Sequence, residues 1–187
     1  MMLSFLTIAP LLGAVILFFT DKTNKSFVKN FSLFWSLLIF YLTIFLLILF
    51  DPTSTQFQLI EEISWLSFSN MNVTLGIDGL SLFMILLTGF LIPICVMLSW
   101  NPSIGNKAKE YNIAFFVLES ILFGVFTSLD IMLFYLLFEA VLIPMYIVIG
   151  VYGSRERKIR ASYLLFLYTL VSSIFMFVAI LYIYFKY

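Results

Sequence analysis

The sequence contains no histidine and a single cysteine, Cys95, and only 11% of its 187 residues are charged. Without histidine, and with its one thiol set in an apolar run, the chain offers neither a metal-ligand cluster nor a disulfide framework. Cys95 therefore reads as a small packing residue. There is no nucleotide-binding loop, no activated nucleophile and no basic patch of the kind that binds nucleic acid. A hydrophobic content of 63% excludes a soluble globule and places the chain among membrane proteins.

The apolar residues fall in runs of about twenty, the length a helix needs to cross about 30 Å of hydrocarbon. Spans are expected near 3–20, 31–50, 80–100, 111–129, 131–151 and 161–185. Each run is too long for a barrel strand, and a helix satisfies its own backbone donors and acceptors in lipid. The expected fold is all-α and polytopic, a single membrane domain over 1–187. The first run is read as a retained span rather than a signal peptide, because no basic stretch precedes it and Lys22, Lys25 and Lys29 follow it. The fourth and fifth spans meet at Asp130, which predicts an antiparallel helical hairpin.

With six spans, the segments 21–30, 101–110 and 152–160 share one face. They carry Lys22, Lys25, Lys29, Lys107, Lys109, Arg155, Arg157, Lys158 and Arg160, every basic residue except Lys186. Basic loops stay on the side of synthesis, so this face is expected inward and both chain ends outward. The long outward segment 51–79 is acidic, with Asp51, Glu61, Glu62 and Asp78. Alternation within 57–66 and 72–77 suggests a small strand pair, and Asp78 before Gly79 suggests a helix cap.

Two carboxylates lie inside spans, Glu119 in the fourth and Glu139 in the fifth. At about 1.5 Å per residue, they sit roughly 15 Å and 12 Å from the outer ends of their helices, near mid-membrane. An ionised carboxylate there costs at least about 2.5 kcal/mol, so each must be protonated, hydrated or paired. Every Lys and Arg lies in a loop or at a span end, so a cation partner has to come from another polypeptide. Glu139 is read as a proton-relay carboxylate, against the alternative of a neutral acid that holds two helices together. Glu119 is a secondary candidate, with Ser120 as its one local polar neighbour.

Pro144 cannot donate to the carbonyl of Ala140, so a kink beside Glu139 is expected, with room for water. Pro93 has no charge nearby and reads as an ordinary kink. In the sixth span Ser162, Thr169, Ser172 and Ser173, with Tyr163 and Tyr168, form a stripe suited to helix packing. The basic segment 155–160 fixes topology and is a candidate contact for anionic lipid headgroups, cardiolipin among them.

The stretch Phe134-Tyr135-Leu136-Leu137-Phe138-Glu139-Ala140-Val141-Leu142-Ile143-Pro144-Met145, continuing through Gly150, Gly153 and Arg155 to Ala161 and Tyr163, resembles the subunit 4 family of respiratory complex I, mitochondrial NADH:ubiquinone oxidoreductase. Gly76-Ile77-Asp78-Gly79-Leu80-Ser81-Leu82-Phe83, followed by Leu91-Ile92-Pro93, resembles the third-span signature of that family.

The resemblance implies an antiporter-like, proton-translocating subunit with inverted five-helix repeats, each containing a broken helix, in the mitochondrial inner membrane. The basic loops would then face the matrix and both termini the intermembrane space. The family's fifth-span acid maps onto Glu139 and its fourth-span acid onto Glu119. The family pairs the fifth-span acid with a lysine of a seventh span and passes protons to another in the eighth. Six spans lack both lysines, so the resemblance implies the amino-terminal portion of a split or truncated subunit. A second polypeptide would carry the remaining spans beside the other membrane subunits of the complex. No cofactor is expected in this chain; NADH, FMN, iron-sulfur clusters and ubiquinone would belong to other subunits. The rival expectations are a purely structural or assembly subunit and a subunit of a multi-subunit cation/proton antiporter.

Overall fold

A computed structural model describes residues 1–21, 24–54, 56–66, 71–101, 107–153 and 156–186. Among the described residues, six helices are long and apolar enough to cross a membrane. They are α1 (Met2–Phe19), α2 (Lys25–Leu49), α3 (Gly79–Leu98), α4 (Ala108–Thr127), α5 (Ile131–Tyr152) and α6 (Lys158–Lys186), with a two-stranded hairpin between α2 and α3 formed by β1 (Gln58–Leu66) and β2 (Met71–Ile77). Helix α4 begins three residues before hydropathy places it, at Ala108, and two longer helices also begin early, α2 by six residues at Lys25 and α6 by three at Lys158. The physical reason is length. Their 25 and 29 residues exceed what the hydrocarbon requires, and the extra turns carry lysines and arginines that reach the headgroup region.

Helices α1 to α4 pack as an antiparallel block around two apolar clusters. The cluster at the hairpin end contains Leu3, Leu6, Ile39, Leu46, Leu82, Ile85 and Phe123, with Leu75 and Ile77 of β2. The other, toward the basic end, contains Ala14, Leu17, Val28, Ile92, Val96 and Phe116. Close approach between helices uses glycine. A Cβ at Gly13 would stand 2.4 Å from the indole of Trp35, whose Nε1 donates to the Ala9 carbonyl at 3.0 Å. Helices α5 and α6 form a second layer that touches the block mainly through α4.

The strands pair antiparallel, with one extra residue in β1 between the pairs Gln58↔Ile77 and Glu61↔Leu75. Leu59 in that bulge has φ 53, a left-handed conformation rare for a branched side chain. The hairpin is pinned to the helices at two places. Leu129 N donates to the Thr74 carbonyl at 3.0 Å, and Glu61 caps α1, accepting from the N–H groups of Leu3 and Ser4 at 2.9 and 3.0 Å. The Ser4 hydroxyl and the Met1 amino group also reach the Glu61 carboxylate. Asp78 caps α3 with a reciprocal bond to Ser81, and Asp130 caps α5 through the N–H groups of Met132 and Leu133.

At the opposite end of α1, Lys109 Nζ donates to the carbonyls of Phe18 and Thr20 at 2.9 and 2.5 Å. An anion at the amino end and a cation at the carboxyl end both oppose the helix dipole. Burial works against the charge of Glu61, but the bonds from the Met1 amino group, Ser4 and Leu3 outweigh it and hold the carboxyl at about 2, below its ordinary 4.5. A depressed carboxylate contributes stability that is present above about 4.5 and is lost as pH falls toward 2. Hydrogen-exchange protection at the amides of Leu3 and Ser4 should therefore fall across that window. Glu61→Gln should remove the pH dependence, and Glu61→Ala should weaken the first turn of α1 by about 1 kcal/mol at neutral pH.

Candidate functional site

The two apolar clusters are separated by a layer in which each of the first four helices changes character. Between its contributions to one cluster and to the other, α1 buries Pro10 and Gly13, α2 buries Ser32 and Ser36, α3 buries Thr88 and Gly89, and α4 buries Leu118, Glu119 and Ser120. Small and polar side chains thus meet midway along the block. Their hydroxyl donors are spent on carbonyls: Ser32 on Val28, Ser36 on Leu33, Thr88 on Met84 and Ser120 on Thr7 of α1. Each oxygen keeps the capacity to accept.

Glu119 is fully buried in this layer, and neither of its carboxylate oxygens has a hydrogen-bond partner. Ser120, the local neighbour that the sequence offers it, is turned away and bonded to Thr7. Phe116 and Phe123, one turn to either side on the same face, belong to the two clusters, so the acid sits between apolar plugs. An unpartnered buried polar atom costs about 1–3 kcal/mol. Glu119 therefore adds nothing to the packing that a leucine would not.

Glu139 is placed differently. It lies partly exposed on α5, of which only Leu142 and Pro144 are buried within the chain. Its Oε1 is shielded and without a partner. The two acids are not hydrogen-bonded to one another. Counted from their connection at Asp130, they are about 16 Å and 13 Å along their helices, so they occupy similar depths on neighbouring helices. Helix α5 runs as one element through the buried Pro144, which leaves the carbonyl of Ala140, the residue next to Glu139, without its usual donor.

Ile143 and Tyr146 stand at i+4 and i+7 from Glu139, on its face of the helix. With Ile147, Tyr163 and Phe166 they line an apolar groove of about 320 Å³ between α5 and α6. In the α6 stripe, Ser162, Thr169, Ser172 and Ser173 donate to carbonyls of their own helix, while Tyr163 and Tyr168 are exposed. Ser162 also faces Gly150 where α5 and α6 approach closely. In the basic segment, Lys158 Nζ caps α5 on the Val151 carbonyl at 2.7 Å, while Arg157 and Arg160 are exposed. Lys22 and Arg155 lie outside the described residues.

Asn112 escapes the sequence reading altogether. It is fully buried near the basic end of α4, its Nδ2 donates to Ser32 Oγ at 2.9 Å, and its Oδ1 has no partner. A polar residue in an apolar run was a visible signal, but its burial depends on α2, eighty residues away in sequence.

Since the Glu119 carboxylate holds no structural bond, Glu119→Leu should leave the thermal stability of the assembled protein unchanged or raised. A loss of the size of a core cavity, about 2 kcal/mol or more, would reveal a structural partner instead.

The family model for the transmembrane region of NADH:quinone oxidoreductase/Mrp antiporter proteins matches residues 128–186, which contain α5 and α6. Over 184 residues, 98% of the chain, the sequence is 47% identical to NADH-ubiquinone oxidoreductase chain 4 of Marchantia polymorpha, and equally so to that of Arabidopsis thaliana. The chain 4 protein of Mycosarcoma maydis is 40% identical over 99% of the chain. The chain spans about 37% of the length of the first two relatives and 38% of the third. The fold is shared with a chain of respiratory complex I from Thermus thermophilus with bound NADH, at a TM-score of 0.77 over 97% of this chain and 35% of that one, with 23% identity. Identity at these levels across nearly its whole length, on the same membrane fold, makes this chain a member of the NADH-ubiquinone oxidoreductase chain 4 family.

Proposed function

We propose that the chain forms part of an antiporter-like, proton-translocating subunit in the membrane arm of respiratory complex I. In this role it helps couple the oxidation of NADH by ubiquinone to proton transfer across the mitochondrial inner membrane. Redox chemistry, with FMN, iron-sulfur clusters and ubiquinone, belongs to other subunits. The observation that carries the reading is Glu139, a mid-membrane carboxylate with a shielded, unpartnered oxygen on a helix face that this chain leaves largely uncovered.

Every Lys and Arg of the chain is at a helix end or in a loop, so the cation for Glu139 comes from helices outside these 187 residues. The groove beside Glu139 supports their placement, because a helix seated along Ile143 and Tyr146 passes the acid at packing distance. A positive charge that approaches Glu139 favours its ionised form and one that withdraws favours proton uptake, which is the exchange a relay needs. Glu119 serves as the secondary acid. The carbonyl left open by Pro144 accepts from water or a neighbouring helix. Basic loops on the matrix side place the hairpin and both ends of the chain in the intermembrane space. Arg157 and Arg160 are then available to anionic headgroups such as those of cardiolipin.

The matching family model also covers cation/proton antiporters, which makes an antiporter subunit the second reading. Comigration of the chain with flavin and iron-sulfur subunits on fractionation favours complex I; migration without them favours the antiporter. For the first reading, Glu139→Gln should assemble normally but strongly reduce the protons translocated per NADH oxidised. Unchanged proton stoichiometry in that variant removes the relay and leaves a structural subunit.

A further inference from the structure

We infer that Asn112, Ser32 and Glu119 frame an internal water-binding site in the α1–α4 block, and that Asn112 gates its access from the basic end. As a branch of the proton path this rests on the relay reading of Glu139; as a hydrated site it stands on the geometry alone.

The polar groups are built into the block without enough protein partners. Glu119 has two unpartnered oxygens and Asn112 one, all in side chains with no exposed surface. Exchanging the amide oxygen and nitrogen of Asn112 does not help, since one end of the group still faces no partner. A buried water needs two to four polar contacts. Spread along the block, the groups that could supply them to successive waters are the free end of the Asn112 amide, the accepting lone pairs of Ser32 and Ser36, whose donors are committed to carbonyls, and the Glu119 carboxylate.

The arrangement also has a direction. Helices α2 and α4 both start at the basic end, so they climb together. Asn112 meets Ser32 at the bottom of this climb. One turn deeper, Ser36 on α2 rises as Phe116 does on α4, and Glu119 follows about 10 Å above Asn112. Allowing for the reach of the two side chains, about two or three hydrogen-bonded waters at roughly 2.8 Å per step connect them. The Phe116 ring, fully buried on the same face, narrows the passage, and Ser36 is the polar step beside it. Below Asn112, the partly exposed Lys109 marks the basic end of the block. Breaking the single Asn112–Ser32 bond and turning the Phe116 ring aside would then connect Glu119 to the basic face without moving a helix.

The test uses the assembled complex that contains this chain. A density map that resolves ordered water should show it within hydrogen-bond distance of Glu119 and of the free end of the Asn112 amide. A dry layer, or a Glu119 carboxyl bonded to a side chain of another helix, overturns the site. In proton-stoichiometry measurements, Asn112→Leu should lower the protons translocated per NADH to the level that Glu119→Gln gives, with assembly intact on a native gel. Asn112→Ser, which keeps a donor and an acceptor, should restore it. Wild-type stoichiometry in Asn112→Leu, alongside a loss in Glu139→Gln, overturns the branch and leaves the relay standing. If Glu139→Gln is itself silent the relay reading fails, and the water density alone then decides the site.

Discussion

Inside hydrocarbon a polar group has no partner except another part of the protein, and this constraint organises the whole chain. It forces the backbone into helices, confines the hairpin to an end of the block, and drives serine and threonine to spend their donors on carbonyls, as Ser32, Ser36, Thr88 and Ser120 do. Against that background the exceptions are few. The carboxylate of Glu119, one end of the Asn112 amide and one oxygen of Glu139 stay unpartnered in places where leucine would pack at no electrostatic cost.

The ends of the helices obey the same constraint at higher dielectric. Helix α1 is held by Glu61 at its start and Lys109 at its finish, residues from two different elements on opposite ends of the block. The helix thereby ties the acidic hairpin to the basic connection before α4. Asp78 and Asp130 do for α3 and α5 from adjacent positions what Glu61 does for α1 from a distance. Of the first four helices, α1 is braced at both ends and α3 at its start, while α2 and α4 begin without a side-chain cap. The polar layer of the four is held between two apolar clusters, where it cannot slide toward either surface.

What could be read from the sequence was whatever depends on near neighbours or on period. Six spans, the strand pair and the cap at Asp78 follow from hydropathy runs, alternation and side-chain reach over three residues. The two acids were visible because a charge in an apolar run is conspicuous. What could not be read depends on contacts between distant segments. Nothing local marks Glu61 as the cap of α1 rather than Glu62 beside it, because the β1 bulge decides which of the two faces the helix. Ser120 looked like the companion of Glu119, yet the close packing of α1 on α4 gives its hydroxyl to Thr7. The start of α2 lies six residues before its apolar run because hydropathy measures the membrane, whereas the helix continues as far as its backbone bonds allow.

Glu119 and Glu139 lie at similar depth on adjacent helices, but the fold gives them opposite surroundings. Glu119 is fully buried within its own chain, so whatever changes its charge must come through the block, as water or as a proton passed along it. Glu139 stands on the lightly covered α5–α6 layer, so whatever changes its charge must come from helices laid against that layer. On the relay reading, a cation carried by those helices acts on Glu139 with little reorganisation of this chain, while Glu119 answers to the interior of its own block.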